Sequence, residues 1–211
     1  MQTIDAEALH RRARLTIIWI YIFLGISVAA GLSYFAAAAT DPDQGNASTL
    51  SLVKFGLALL QLLIYFISGF LILRWIYKTN QAAHILGGDA MTMSPGWNVG
   101  WFFIPIGNLF KPFEGLRESY QATVNFDAPY AVEVPGAMRL WWGTWIASSI
   151  LSNAAMRLQM MAPQGSNAMT VVNVTYGIVG IIAIPLSLSL IATVREVTEA
   201  QASASLAEAF S

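Results

Sequence analysis

Residues 15–39 read LTIIWIYIFLGISVAAGLSYFAAAA, a run of 25 residues without a charged side chain. A helix needs about 20 mainly apolar residues to cross the hydrocarbon core of a bilayer, so this stretch predicts a membrane span. Three further uncharged windows qualify on the same grounds: 55–73, 140–156 and 171–194. The predicted fold class is an all-α membrane protein with four transmembrane helices.

The overall composition agrees with a membrane protein. Apolar residues make up 56% of the chain and charged residues 11%, less than half the roughly 25% typical of soluble proteins. This composition excludes a soluble enzyme, and the net charge of −1 argues against a nucleic-acid partner. The expected partners are the lipid bilayer and either another membrane protein or a second copy of the chain.

The basic residues predict the orientation, because Lys and Arg accumulate in short loops on the cytoplasmic side. With four spans and a cytoplasmic N-terminus, Lys54 and Arg157 lie outside. The other nine lie inside: Arg11, Arg12, Arg14, Arg74, Lys78, Lys111, Arg117, Arg139 and Arg195. If residues 97–110 also spanned, the split would fall to six against five. All seven tryptophans lie towards the inner side in the four-span arrangement, where indole rings favour the headgroup level.

These arguments divide the chain into a cytoplasmic N-terminus (1–14), a single membrane domain (15–199) and a cytoplasmic C-terminal tail (200–211). The spans are placed at about 15–39, 50–73, 138–161 and 170–194. The first apolar run exceeds the roughly 7–15 residues of a signal peptide, so we expect it to remain as an anchor.

The inner loop contains an unusual segment, residues 94–125. Its apolar part, 97–110, is too short to span and contains Gly100, Pro105, Gly107 and Asn108, which favours a re-entrant or an interfacial segment. Ser94-Pro95 is typical of a helix start, and Gly87-Gly88 is typical of a helix end. An amphipathic helix should follow, because apolar residues recur at helical spacing: Leu109, Phe113, Leu116, Tyr120 and Val124.

Residues 97–112 read WNVGWFFIPIGNLFKP, and Glu114 and Arg117-Glu118 follow. This order of Trp, Pro, Asn, a second Pro and a charged helix resembles the signature of a bacterial membrane-protein family catalogued as domain of unknown function 4328. The resemblance covers about residues 50–199, and its specific part is 94–121. It implies a multi-pass protein of the bacterial inner membrane and supplies no activity.

Few side chains carry recognisable chemistry. Gln61 and Asn153 are polar groups inside predicted spans, for which the simplest role is hydrogen bonding between helices. Gly25 and Ala29 form a small-xxx-small pair that predicts close helix packing, either within the chain or in an oligomer contact. His10 and His84 lie outside the apolar windows, so we expect no haem. No nucleophile, metal-ligand or phosphate-loop motif occurs, and we expect neither catalytic activity nor a cofactor or metal.

Two functional hypotheses remain. The first is a non-enzymatic structural or accessory subunit of a membrane assembly. Its candidate contact segment comprises Trp97, Gly100, Trp101, Pro105, Asn108, Pro112, Glu114 and Arg117. The alternative is a carrier or channel for a small neutral or lipid-like solute, with Gln61, Asn153 and residues 105–108 along its path.

Overall fold

The computed structural model describes residues 5–39, 47–125, 127–163 and 166–209. Over these residues the chain is helical and contains no strand. The α-helices are α1 (Ala6–Ala39), α2 (Ala47–Gly87), α3 (Pro95–Gly100), α4 (Lys111–Val124), α5 (Gly136–Met161) and α6 (Asn167–Ala209). Short 3-10 turns cover Gly88–Ala90, Trp101–Phe103, Gly107–Leu109 and Pro129–Ala131. The long helices contain all four predicted spans.

Three of the described helices are long and apolar enough to cross a membrane. They cover Ala6–Ala39, Ser51–Gly87 and Asn167–Ala207, and the mean hydropathy of their most apolar windows is 2.2, 2.3 and 2.3. Helix α5 has 26 residues but does not reach the same level. Its uncharged stretch is diluted by small and polar residues: Gly143, Thr144, Ser148, Ser149, Ser152 and Asn153. The helices identify a membrane protein.

The chain divides into two compact units. Unit 1 consists of Met1–Ile18, Ser68–Arg139 and Ser189–Ser211, and unit 2 consists of Trp19–Ile67 and Leu140–Leu188. Helices α1, α2 and α6 each contribute residues to both units. The segment singled out by the sequence lies entirely in unit 1.

In unit 2, helices α1 and α6 approach each other closely at two glycines. A Cβ atom on Gly180 would lie 2.6 Å from the Cα of Gly31, and a Cβ on Gly31 would lie 2.9 Å from the Cα of Gly180. Such an approach is open only to residues without a side chain. The predicted packing glycine, Gly25, has no heavy atom within 4 Å of an added Cβ. Gly25 therefore does not make a close contact within the described residues, and its alternative role in an oligomer contact stays a prediction. Gly31 makes the close approach to α6.

Polar contacts link α2 to its neighbours in unit 2. Gln61 Nε2 donates to Ser27 Oγ of α1 at 3.4 Å, which confirms the predicted hydrogen bond between helices. Lys54 Nζ donates to Asn173 Oδ1 of α6 at 3.0 Å and lies 4.8 Å from the centroid of the Tyr34 ring. Asn153 behaves differently. Its amide donates to the Ser149 carbonyl of its own helix at 2.8 Å, and the side chain is exposed, so the interhelical prediction is wrong there.

Unit 1 has a core built by α2, α4 and α6. Ile76, Leu116 and Val197 are fully buried. Gln201 Nε2 donates to the Thr79 carbonyl at 2.7 Å, and Trp75 Nε1 donates to Thr198 Oγ1 at 3.4 Å. Two buried polar side chains of α6, Thr198 and Gln201, are thus paired with α2.

Three of the tryptophans are buried inside the protein. Trp75 in unit 1, and Trp141 and Trp142 in unit 2, are at most 7% exposed. A large aromatic side chain gains most when it is packed on all sides. Their location towards the inner side of the membrane stays a prediction.

Candidate functional site

The candidate segment begins where α2 stops. Helix α2 ends at Gly87, and Gly88 has a positive φ of 50°, a conformation that glycine adopts without strain. The helix end predicted at Gly87-Gly88 is confirmed. Gly87 packs against α4, because a Cβ on Gly87 would lie 2.8 Å from the Cβ of Ala122. The chain therefore leaves α2 in direct contact with α4.

Helix α3 begins at the predicted position. Ser94 has an extended backbone, and Pro95 occupies the first helical turn, where a missing N–H costs nothing. The Ser94 side chain makes no capping hydrogen bond, but the Ser94 carbonyl accepts from the Asn98 N–H at 2.9 Å. Proline, rather than a side-chain cap, marks this helix start.

The turn after α3 is built around a tryptophan and a glycine. The rings of Trp97 and Trp101 lie 5.3 Å apart, and Gly100 lies beside the Trp97 ring. A Cβ on Gly107 would lie 2.5 Å from the Trp101 ring, so only glycine fits there. The Asn108 N–H donates to the Ile104 carbonyl at 2.8 Å, which closes the turn around the exposed Pro105.

This turn presents apolar side chains outwards. We call the following five residues the apolar face: Trp97, Phe103, Ile104, Ile106 and Phe110. Phe103 and Ile106 are 74% and 77% exposed, and the other three are exposed by between 36% and 59%. Exposed apolar side chains concentrated in one short segment are typical of a membrane or protein contact.

Helix α4 uses a different face for packing than the apolar stripe suggests. Its buried residues are mostly small or polar: Pro112, Gly115, Leu116, Ser119, Gln121, Ala122 and Thr123. Of the predicted stripe, Leu116 is fully buried, whereas Phe113 and Tyr120 are half-buried and Val124 is 48% exposed. Small residues allow α4 to lie directly against Gly87 and α3. Burial and the nearby Glu196 carboxylate raise the pKa of the Tyr120 phenol.

Two asparagines are buried against this face of α4. Asn80 Nδ2 donates to Ser119 Oγ at 3.2 Å, and Ser119 Oγ donates to the Gly115 carbonyl at 2.8 Å. Asn98 is fully buried, and its Oδ1 occupies the space beside Gly115. Neither amide atom of Asn98, nor Oδ1 of Asn80, has a hydrogen-bond partner among the described residues.

A polar pocket of about 160 Å³ lies where α4 faces the loop after α2 and the turn at Pro129–Ala131. Its lining includes Ala90, Thr92, Met93, Lys111, Glu114, Arg117, Glu118, Gln121, Pro129 and Tyr130. The Glu118 carboxylate accepts from the backbone N–H groups of Thr92 and Met93. Lys111 Nζ lies 2.6 Å from Glu114 Oε2. Gln121 Nε2 donates to the Val132 carbonyl at 2.7 Å, which connects α4 to the residue after the Pro129–Ala131 turn.

The eight predicted site residues separate into three groups. Trp97 belongs to the apolar face, and Gly100, Trp101, Pro105 and Asn108 lie in the turn that bears this face. Pro112 is buried at the start of α4, and Glu114 and Arg117 line the pocket. Asn80, Asn98 and Glu118 were not among the predicted site residues. Asn98 and Glu118 lie within the quoted motif, and the position of Asn98 between Trp97 and Trp101 was the available signal. Among the described residues, no group of three or more His, Asp or Glu side chains is placed to hold a metal.

A family model described as domain of unknown function (DUF4328) matches residues 36–199, more than three quarters of the chain. The chain belongs to this family. The match includes all of α2 to α5, and with them the apolar face and the pocket. No curated protein and no solved structure matches the chain.

Proposed function

We propose that this protein is a four-span protein of the bacterial inner membrane that serves as a structural or accessory subunit of a membrane assembly. Helix α5 is the additional span, since its 26 residues exceed the about 20 that a crossing requires. Both termini then lie in the cytoplasm with nine of the eleven basic residues, and the 94–125 segment lies at the cytoplasmic surface of the bilayer.

The observation that carries this proposal is the apolar face. Five large apolar residues within 14 positions are exposed, although the turn that bears them is held in place by the Trp101–Gly107 contact and by the Asn108 hydrogen bond. A preformed apolar surface loses little conformational entropy on binding. The partner that we propose for the apolar face is another membrane protein.

The carrier alternative has less support. Asn153 is exposed and bonded to its own helix, and Gln61 is bonded to Ser27. Neither residue lines the polar pocket, whose walls consist of unit 1 residues. A path for a solute would need polar groups turned towards a shared cavity.

The test is a co-purification comparison in the native host. The double substitution Phe103→Ser with Ile106→Ser removes the two most exposed members of the apolar face. The control, Met160→Ser with Met161→Ser, alters two residues of α5 that are 75% and 82% exposed. Proteins cross-linked in intact cells are quantified by mass spectrometry, and each candidate partner is tagged for the reciprocal purification.

We expect at least one reciprocally confirmed partner to fall about tenfold or more for the apolar-face variant, with no change for the control. Thermal unfolding of both purified variants establishes that the fold is retained. The same partners at the same level for both variants would show that the apolar face holds no subunit. A partner that proves to be a second copy of this chain would assign the face to a homo-oligomer instead.

A further inference from the structure

The polar pocket beside α4 has an unusual charge arrangement. It is lined by two cations, Lys111 and Arg117, and by two carboxylates, Glu114 and Glu118, so its formal charge is zero. The Glu118 carboxylate already has hydrogen-bond partners within the protein, because its oxygens accept from the backbone N–H groups of Thr92 and Met93. The remaining three charged side chains are available to a ligand.

Arg117 is the first of these groups. Its guanidinium makes no ion pair with a side chain in the described part of the chain, although it lines a pocket that contains two carboxylates. A guanidinium offers a planar fork of donors that fits the oxygens of a phosphate. Arg117 therefore supplies an anion-binding group on one side of the pocket.

Lys111 and Glu114 are the second and third charged side chains that are available to a ligand. They form an ion pair three residues apart on α4, and their side chains are 43% and 40% exposed. An exposed pair of this kind contributes little to stability, so a ligand can separate it at little cost. Lys111 can then join Arg117 around an anion while Glu114 accepts hydrogen bonds from a cation.

We propose that this pocket binds a zwitterion that carries a phosphate and a primary ammonium group, as a phosphoethanolamine headgroup does. The phosphate lies against Arg117 and Lys111, and the ammonium group donates to Glu114. A purely anionic ligand would meet the uncompensated Glu114, and a purely cationic one would meet Arg117. A zwitterion pairs every charge in the pocket.

The same chemistry is offered by a phospholipid and by a soluble phosphoethanolamine compound. The lipid is the source that we favour, because Phe110 directly precedes Lys111 and is 59% exposed. Apolar surface next to a polar pocket suits an amphiphile, because its acyl chains need apolar contacts and its headgroup needs polar ones. The proposal rests on the membrane placement of the 94–125 segment but requires no protein partner.

Binding is measured by native mass spectrometry of the full-length protein in detergent. The titrants share the same acyl chains and carry a phosphoethanolamine, a phosphocholine or a phosphoglycerol headgroup, and water-soluble glycerophosphoethanolamine is the fourth. We expect the phosphoethanolamine lipid to bind about tenfold more tightly than the phosphoglycerol lipid. The phosphocholine lipid should also bind more weakly, because its quaternary nitrogen has no N–H to donate to Glu114.

Two substitutions locate the site. Arg117→Gln and Glu114→Gln should each weaken phosphoethanolamine-lipid binding about tenfold, and Arg117→Lys should fall between, since it keeps the charge and loses the fork. The matched control is Arg139→Gln, which breaks the exposed Arg139–Glu133 pair of unit 1 outside the pocket. Unchanged thermal unfolding confirms that each variant is folded.

The outcomes separate cleanly. Glycerophosphoethanolamine binding as tightly as the lipid keeps the headgroup chemistry and assigns a soluble source. Equal or tighter binding of the phosphoglycerol lipid overturns the proposal, and so does unchanged binding in Arg117→Gln and Glu114→Gln. The Phe103→Ser, Ile106→Ser variant loses partners but keeps headgroup selectivity if both proposals hold, so that the two can fail independently.

Discussion

The side-chain amide of Asn98 fills the position that a side chain on Gly115 would occupy. Asn98 is fully buried, and an added Cβ on Gly115 would collide with its Oδ1 and with the Sδ of Met93. Because Asn98 belongs to α3 and Gly115 to α4, this one contact sets how closely the two helices of the candidate segment approach. It also allows α4 to bury small and polar residues instead of its apolar stripe.

The first prediction concerns that contact. Gly115→Ala should lower the free energy of unfolding by about 1–3 kcal/mol, the usual cost of forcing extra atoms into a packed site. Gly96→Ala is the control, since a Cβ on Gly96 has no heavy atom within 4 Å. Thermal unfolding of the purified protein, followed by tryptophan fluorescence, provides the comparison. An equal midpoint for both variants would contradict the packing described for α3 and α4.

The second prediction concerns the amide of Asn98 itself. Both amide atoms are buried without a partner among the described residues, and such groups each cost about 1–3 kcal/mol. Asn98→Leu should therefore leave the stability unchanged or raise it. Asn80→Leu should lower it by about 1 kcal/mol, because Asn80 donates to Ser119. The same unfolding measurement tests both, and a large loss for Asn98→Leu would mean that its amide is satisfied.

The third prediction concerns the crossing of α1 and α6 in unit 2. Gly31→Ala should destabilise the protein by about 1–3 kcal/mol, since its Cβ would lie 2.9 Å from Gly180 Cα and 3.2 Å from the Gly177 carbonyl oxygen. Gly25→Ala, on the same helix, should not destabilise, because nothing lies within 4 Å. Resistance to denaturation in detergent is the readout. If Gly25→Ala proves the more harmful change, the crossing point has been misplaced.

The fourth prediction concerns the orientation in the membrane. The chain contains no cysteine, so a single introduced thiol can be labelled without background. In intact cells, an impermeant reagent should leave Asp127→Cys unlabelled, since this residue lies between α4 and α5 in the proposed cytoplasmic loop. Met161→Cys, 82% exposed at the end of α5, should react. Labelling of Asp127→Cys from the periplasm would exclude the four-span topology.

Much of this structure follows from the sequence alone. The ends of the predicted spans fall within α1, α2, α5 and α6, because apolar length and helix-breaking residues are local signals. The start of α3 at Pro95 was predicted for the same reason. The membership of the family was also predicted, from residues 97–112.

Contacts between distant residues could not be predicted in this way. The Gly31–Gly180 approach and the Lys54–Asn173 hydrogen bond join positions more than 100 residues apart, and neither residue of a pair reveals the other. The pattern of basic residues placed Lys54 on the outer side, which stays a prediction, but it could not show that the ammonium group contacts the Asn173 amide and the Tyr34 ring. The buried face of α4 was missed because glycine, serine and threonine give no hydrophobic signal.

Helix α2 has only 11% of its most apolar window buried within the protein, against 50% for α6. In the proposed membrane placement, most of the surface of this window faces fatty acyl tails or a partner protein, and the hydrogen bonds of Gln61 and Lys54 join α2 to α1 and α6 in unit 2. A membrane helix with little buried surface usually changes its tilt when the bilayer becomes thinner or thicker. The thickness of the host membrane should thus act on this protein first through α2, while the more enclosed α6 keeps its packing.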